Sequence, residues 1–132
     1  MKIIILALLL LTSMNAVAKW AYIGQADYGE KHYLDYSSIQ ESGNTVKVRE
    51  ITDLASPEKV ANKYYFSYMS EMEYDCKAKT SKILSVTWYE DNLGNGAVIS
   101  SYAYPQGVKN SPIKLPHSSI GYTAWMRVCG KQ

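Results

Sequence analysis

The stretch YYFSYMSEMEYDC, Tyr64 to Cys76, decides the fold. In an extended chain successive side chains point to opposite faces, so this run sorts into two sets. Tyr64, Phe66, Tyr68, Ser70, Met72, Tyr74 and Cys76 share one face. Tyr65, Ser67, Met69, Glu71, Glu73 and Asp75 share the other, whose composition is that of a half-wet surface. A second stretch, SSIGYTAWMRVCG from Ser118 to Gly130, changes period. Ser118-Ser119 offers an N-cap, no proline interrupts Ile120 to Cys129, and Gly130 closes the run. On a helix there, Tyr122, Trp125 or Met126, and Cys129 fall on one side, because residues three and four apart are neighbours. If Cys76 and Cys129 bond, the helix lies over the face that carries Tyr64 to Cys76.

That bond is the expected fate of the two cysteines because the chain begins with an export signal. Lys2 supplies the charged start, Ile3 to Leu11 an apolar run, and Ala16-Val17-Ala18 a small-residue cleavage site. The apolar run is far short of the roughly 20 residues that span a bilayer. A mature chain starting at Lys19 would enter an oxidising compartment, where a cysteine pair closes. Residues 1–18 are therefore read as a cleaved signal peptide and 19–132 as one domain. No integral membrane segment is expected after cleavage.

Outward from the central stretch, turn signals separate further strand candidates. Trp20 to Gln25 is β-prone, broken by Asp27-Tyr28-Gly29, and Lys31 to Tyr36 follows. Glu41-Ser42-Gly43-Asn44 is a turn before Thr45 to Asp53, in which Val46 and Val48 alternate with Lys47 and Arg49. Ser56-Pro57-Glu58 marks a loop, with a short helical turn expected over Lys59 to Asn62. Ser81 to Glu90 is a long strand candidate. The loop Asp91 to Gly96 contains Asn-Gly, a hairpin signal, and Ala97 to Tyr104 returns from it. Pro105 to Pro116 reads as irregular. The fold expected is α+β: an antiparallel sheet of about six strands, a C-terminal helix packed on one face, and the Cys76–Cys129 bond tying the two.

Composition excludes several function classes. The formal charge is +2, falling by one with Lys2, and no block of like charge is present. That is no footprint for nucleic acid or for an anionic membrane. Twelve Tyr and three Trp accompany a single Phe. Tyr suits strands, and it is also enriched where proteins bind one another.

Candidate chemistry is sparse. His32 and His117 are the residues available for acid–base work, far apart in sequence and without a positioning motif. No histidine has a partner at zinc-site spacing, and no metal site is expected. Glu71, Glu73 and Asp75 align three carboxylates on a strand face, most simply as a solvated surface. There is no phosphate loop, nucleophile elbow or free thiol nucleophile. The reading is a non-enzymatic protein with no resident cofactor. Its expected binding residues are Tyr65, Met69, Glu71 and Glu73 on the open sheet face.

The run Tyr33-Leu34-Asp35-Tyr36-Ser37-Ser38-Ile39, followed by Val46-Lys47-Val48-Arg49-Glu50, resembles the surface-adhesin protein E family of Gram-negative bacteria. So does Glu73-Tyr74-Asp75-Cys76 ahead of Trp88-Tyr89, a Gly96 hairpin, and a terminal Trp125 to Cys129. The likeness runs from Trp20 to Cys129. It implies an antiparallel sheet with a helix fixed by a disulfide, here Cys76–Cys129. It also implies an exported protein, periplasmic or at the cell surface, with a protein partner of the host-matrix type such as vitronectin or laminin. Haem binding is a further implication of the resemblance, and Tyr or Met side chains could ligate its iron. Two departures stand out. No cysteine lies near the cleavage site, so a lipid anchor is not expected, and Arg49 stands where the resemblance leads one to expect an aromatic. The alternative reading is a periplasmic inhibitor of lysozyme type, inserting the 105–116 segment or the Asn92 to Gly96 loop into a cleft.

Overall fold

The computed structural model describes residues 20–107 and 109–130. The export signal expected over residues 1–18 lies outside the described residues. Six strands run up and down in chain order, each antiparallel to the next: β1 (Trp20–Gln25), β2 (Lys31–Ser42), β3 (Thr45–Val60), β4 (Lys63–Asp75), β5 (Thr80–Tyr89) and β6 (Val98–Ala103). A two-residue strand, β7 (Ile113–Lys114), pairs with Thr80 and Ser81 and takes up the edge of β5 beyond the end of β6. One helix, α1 (Ile120–Cys129), follows. This is the expected α+β architecture.

Tight turns set the register. Ser42 pairs with Thr45 across Gly43-Asn44, with Gly43 at φ 60°. Val60 pairs with Lys63 across Ala61-Asn62, at φ 48° and 63°. Positive φ at both central residues is the geometry whose twist matches paired strands. The helical turn expected over Lys59 to Asn62 is therefore absent: Lys59 and Val60 sit in the ladder opposite Tyr64 and Lys63. Ser56-Pro57-Glu58 does not end the strand either. Register breaks between Asp53 and Glu58, and Pro57 falls within that break, where the ladder needs no N–H from it.

The helix begins at Ser119, whose hydroxyl accepts from the Tyr122 amide at 3.1 Å. Ala124, Trp125, Val128 and Cys129 are buried against Ile23, Leu34, Val46, Val48 and Tyr74. Met126 is exposed, so Trp125 is the member of that pair facing the sheet. β1 passes close beneath: a Cβ on Gly24 would lie 2.7 Å from Ile120 Cδ1. Cys76 and Cys129 form the disulfide, with Cα atoms 5.5 Å apart, and the Trp125 indole donates to the Asp75 carbonyl at 3.0 Å. The helix does not cover the whole face expected of it. Its ten residues extend about 15 Å, against about 43 Å for the thirteen of β4. It shields the Met72–Tyr74 end and leaves Tyr64 exposed.

Glu50, half-buried on the helix-side face, accepts from the Tyr74 hydroxyl. Burial pushes the Glu50 carboxyl up to about 7, against the downward pull of that hydrogen bond. A carboxyl raised in the folded state stays protonated there after it has ionised in the unfolded chain, so the folded state binds the extra proton. Stability should accordingly fall as pH rises from about 4.5 to about 7 and flatten above. Urea denaturation across that range tests this, and Glu50→Gln should remove the slope. The Cys76→Ala/Cys129→Ala double variant should lose about 4 kcal/mol of unfolding free energy in the chain-entropy model of loop closure. An unchanged urea midpoint would mean that packing alone fastens the helix.

Candidate binding surface

The sheet face turned away from the helix carries Trp20 from β1, Asp35 from β2, Arg49 and Ile51 from β3, Met69 from β4 and Tyr89 from β5. With Leu93 and its neighbours they line an open groove of about 670 Å³. Strand alternation accounts for the set: Trp20 pairs with Asp35, Asp35 with Arg49, and Ile51 with Met69, so all point the same way. A second depression of about 480 Å³ adjoins it, where β2 loses register between Asp35 and Gln40. Ser37, Ser38, Lys47, Arg49 and Glu71 are among its lining residues.

Asp35 is the pivot between the two. Its side chain is 2% exposed, and its carboxylate accepts from the Arg49 Nη2 at 2.8 Å and from the Ser37 amide at 3.0 Å. The Arg49 side chain is 48% exposed. One nitrogen is thus fixed by a buried carboxylate while the rest of the guanidinium faces both depressions. The Arg49 amide donates to Ser38 Oγ at 2.8 Å, which ties the same strand to the break in β2. A planar, permanently charged group held in one orientation is suited to receiving hydrogen-bond acceptors.

The loop after β5 walls the groove. It contains a short 3₁₀ turn over Asn92–Gly94 and is stapled to the sheet from below. Ser67, fully buried, donates to the Asp91 carbonyl at 2.6 Å and accepts from the Gly94 amide at 2.9 Å. Asp53 accepts from the Leu93 amide at 2.8 Å and from Asn92 Nδ2 at 2.9 Å. Gly94, at φ 70°, lets the loop approach Ile51, whose Cδ1 would be 3.0 Å from an added Cβ. Leu93 is left 38% exposed at the rim. The loop considered above as an inserting one is therefore folded down against the sheet.

Of the residues expected on the open face, Met69 lines the groove and Glu71, exposed, lines the adjoining depression. Glu73 is paired with Lys82 at 3.5 Å. Tyr65 departs from that expectation. It is 7% exposed, its hydroxyl donates to Glu58 Oε2 at 2.8 Å, and its ring packs edge-on against Tyr68 and Trp88. β4 there lies opposite the register break in β3, and strict two-face alternation does not carry across it. His32 and His117 have separate partners: Thr52 Oγ1 at 3.3 Å for His32, the Tyr122 ring at 4.5 Å for His117. Among the described residues no group of acidic, histidine or cysteine side chains could hold a metal ion, and no helix is long and apolar enough to cross a membrane.

A profile of the surface-adhesin protein E family matches residues 20–130, and so spans every strand and the helix. The chain belongs to the surface-adhesin protein E family. Solved structures of Haemophilus influenzae protein E share its fold. The selenomethionine form is 18% identical with a TM-score of 0.63, covering 84% of this chain and 87% of that one. A second crystal form is 19% identical with a TM-score of 0.64, covering 83% and 87%. Protein E from a non-typeable strain is 18% identical with a TM-score of 0.60, covering 87% and 79%. At these identities the likeness is one of fold. No curated protein matches the sequence. Within this adhesin-family fold, the Asp35–Arg49 pair and the Ser67 and Asp53 staples are features of this chain's own residues.

Replacing Ser67 by Ala should cost on the order of 1–2 kcal/mol, since both its partners are backbone groups left unsatisfied near the sheet. Hydrogen exchange at the Gly94 amide should quicken more than at amides in β2. Equal changes throughout the sheet would mean that Ser67 does not hold the loop.

Proposed function

We propose that this protein is an exported, non-enzymatic binding protein of the adhesin type, which holds a protein partner in the open groove opposite the helix. In this reading residues 1–18 direct export and are removed, and the mature domain acts in the periplasm or at the cell surface. The partner is of the host-matrix kind that vitronectin and laminin exemplify. Family membership supports the adhesin role in general. The observation that carries the choice of surface is the groove itself: an open floor of Met69 and Tyr89 beside a guanidinium anchored by a buried carboxylate.

Such a floor combines the ingredients of a protein interface, a central apolar and aromatic patch with a fixed arginine. Two ion pairs lie on the face, Asp35 with Arg49 and Glu73 with Lys82. Recognition there would depend on shape, apolar contact and hydrogen bonding to Arg49 more than on net charge. The stapled loop keeps the wall in place, so little ordering cost falls on binding.

Purified protein should bind immobilised vitronectin or laminin, and Met69→Glu and Leu93→Asp should each weaken binding at least tenfold. Met126→Glu, on the exposed side of the helix, should leave it unchanged. Equal loss in all three variants, or none in the first two, would remove the groove from the reading. Protease shaving of intact cells places the protein: cleavage is expected if it is displayed, protection if it stays periplasmic.

A further inference from the structure

The part of the helix-side face that α1 leaves bare holds a second set of side chains. Tyr68 and Trp88 are cross-strand partners on β4 and β5, both half-buried. The buried Tyr65 ring stands edge-on to each, 6.3 Å from Tyr68 and 6.5 Å from Trp88 between centroids. Its hydroxyl bonds Glu58, which ties that carboxylate to the ring cluster. The core under the helix ends at Met72, Val48 and Leu34 and does not reach these rings.

The charges around the rings are of one sign. Burial raises the Tyr68 hydroxyl first, the hydrogen bond with Thr52 eases it, and Glu30, Glu58 and Glu50 then raise it further. Glu30 also acts on His32, opposing the lowering that burial imposes on that imidazole. Geometry places two of these carboxylates: Glu58 reaches the rings through its bond with Tyr65, and Glu30, two residues before His32, shares a face with the cross-strand row His32, Thr52 and Tyr68. The ion pairs Arg49–Asp35 and Lys82–Glu73 belong to the opposite face. Lys59, a neighbour of Glu58 in sequence, sits over the Tyr64 ring at 4.8 Å instead.

We infer that the half-buried rings of Tyr68 and Trp88, with Glu30 and Glu58 beside them, form a docking site for a basic side chain, lysine or arginine, presented by a partner protein. Charge complementarity selects this occupant. Aromatic faces attract cations through their quadrupole, and uncompensated carboxylates strengthen that attraction. A metal ion is the poorer match, since the carboxylates surround the rings without converging on a point. An ammonium or guanidinium head can lie over a ring and still reach the carboxylates at its edge. This site is independent of the groove and stands whether or not the groove binds anything.

The test uses the indole resonance of Trp88, assigned by its absence in Trp88→Phe, with tetralysine and tetraglutamate peptides as probes. Tetralysine should shift this resonance in the wild-type protein, tetraglutamate should not, and added salt should weaken the effect. Glu30→Gln/Glu58→Gln should weaken tetralysine binding at least fivefold, while Gln at position 58 still accepts from Tyr65 and keeps the fold. Glu71→Gln/Glu73→Gln alters net charge equally on the opposite face and should have no effect. No shift with tetralysine, or equal weakening in the two double variants, would overturn the inference. So would a stronger response to tetramethylammonium than to tetralysine at equal concentration, because that would indicate a quaternary-ammonium ligand.

Discussion

The clamp between helix and sheet, the Cys76–Cys129 bond with the Trp125 indole on the Asp75 carbonyl, is the constraint on which the rest of this molecule depends. A ten-residue helix is marginal by itself in water, and its stability comes from the face it buries. The disulfide fixes where that burial occurs, at the Asp75 end of β4, and so decides what is covered and what is not. Ile23, Leu34, Val46, Val48 and Tyr74 acquire a second layer. The other face, and the far end of the helix-side face, receive none from the helix. The groove is open because the helix packs on the opposite face, and the ring cluster because the helix is much shorter than the sheet.

A sheet so thinly covered has to hold its shape by other means. Polar side chains do this from buried positions: Asp35, Thr52, Ser67 and Ser70 are all buried, and no buried side-chain nitrogen or oxygen among the described residues lacks a partner. Ser67 and Asp53 turn the 91–95 segment into a wall where an ordinary hairpin loop would project. Asp35 does the same for Arg49. Removing Arg49 would leave the buried Asp35 without its cation, so the aspartate depends on the arginine that it orients. Where the resemblance led one to expect an aromatic ring, this chain has a charge and the buried group that orients it.

Much of the architecture was legible because it is written in period and punctuation. The helix bounds Ile120–Cys129, the first strand Trp20–Gln25 and the turn at Gly43-Asn44 follow from capping, alternation and glycine. The Ala61-Asn62 turn was not legible, since alanine at positive φ carries no signal and Pro57 suggested a stop. Local rules mark proline as a strand breaker, and only the register break in β3 makes it harmless. The candidate sites were less accessible still. Met69 and Glu71 could be placed by alternation, but Tyr65 lies opposite a bulge, and a bulge cannot be counted from one strand alone. The Asp35–Arg49 pair joins residues fourteen apart that no motif links. The 92–95 loop gave a turn signal and nothing to say that Ser67 and Asp53 would pull it down.

The two faces differ most in how their charges are settled, and this bears on what each can recognise. On the open face, Arg49 and Lys82 meet carboxylates within the molecule, so a partner gains little from charges opposite those two groups. What it gains is apolar burial over Met69 and Tyr89 and hydrogen bonds to a guanidinium already held in place, which favours a partner of matching shape. On the bare end of the helix-side face, Glu30 and Glu58 lie near Tyr68 and neither belongs to an ion pair with Arg49 or Lys82. Their mutual repulsion is relieved by any cation that settles over Tyr68 and Trp88, and this relief is a gain that a neutral ligand cannot supply. Charge between exposed groups is screened beyond about 8 Å at physiological salt. The cation must therefore reach the rings themselves, so it is the ring geometry, together with the carboxylate count, that makes the site selective.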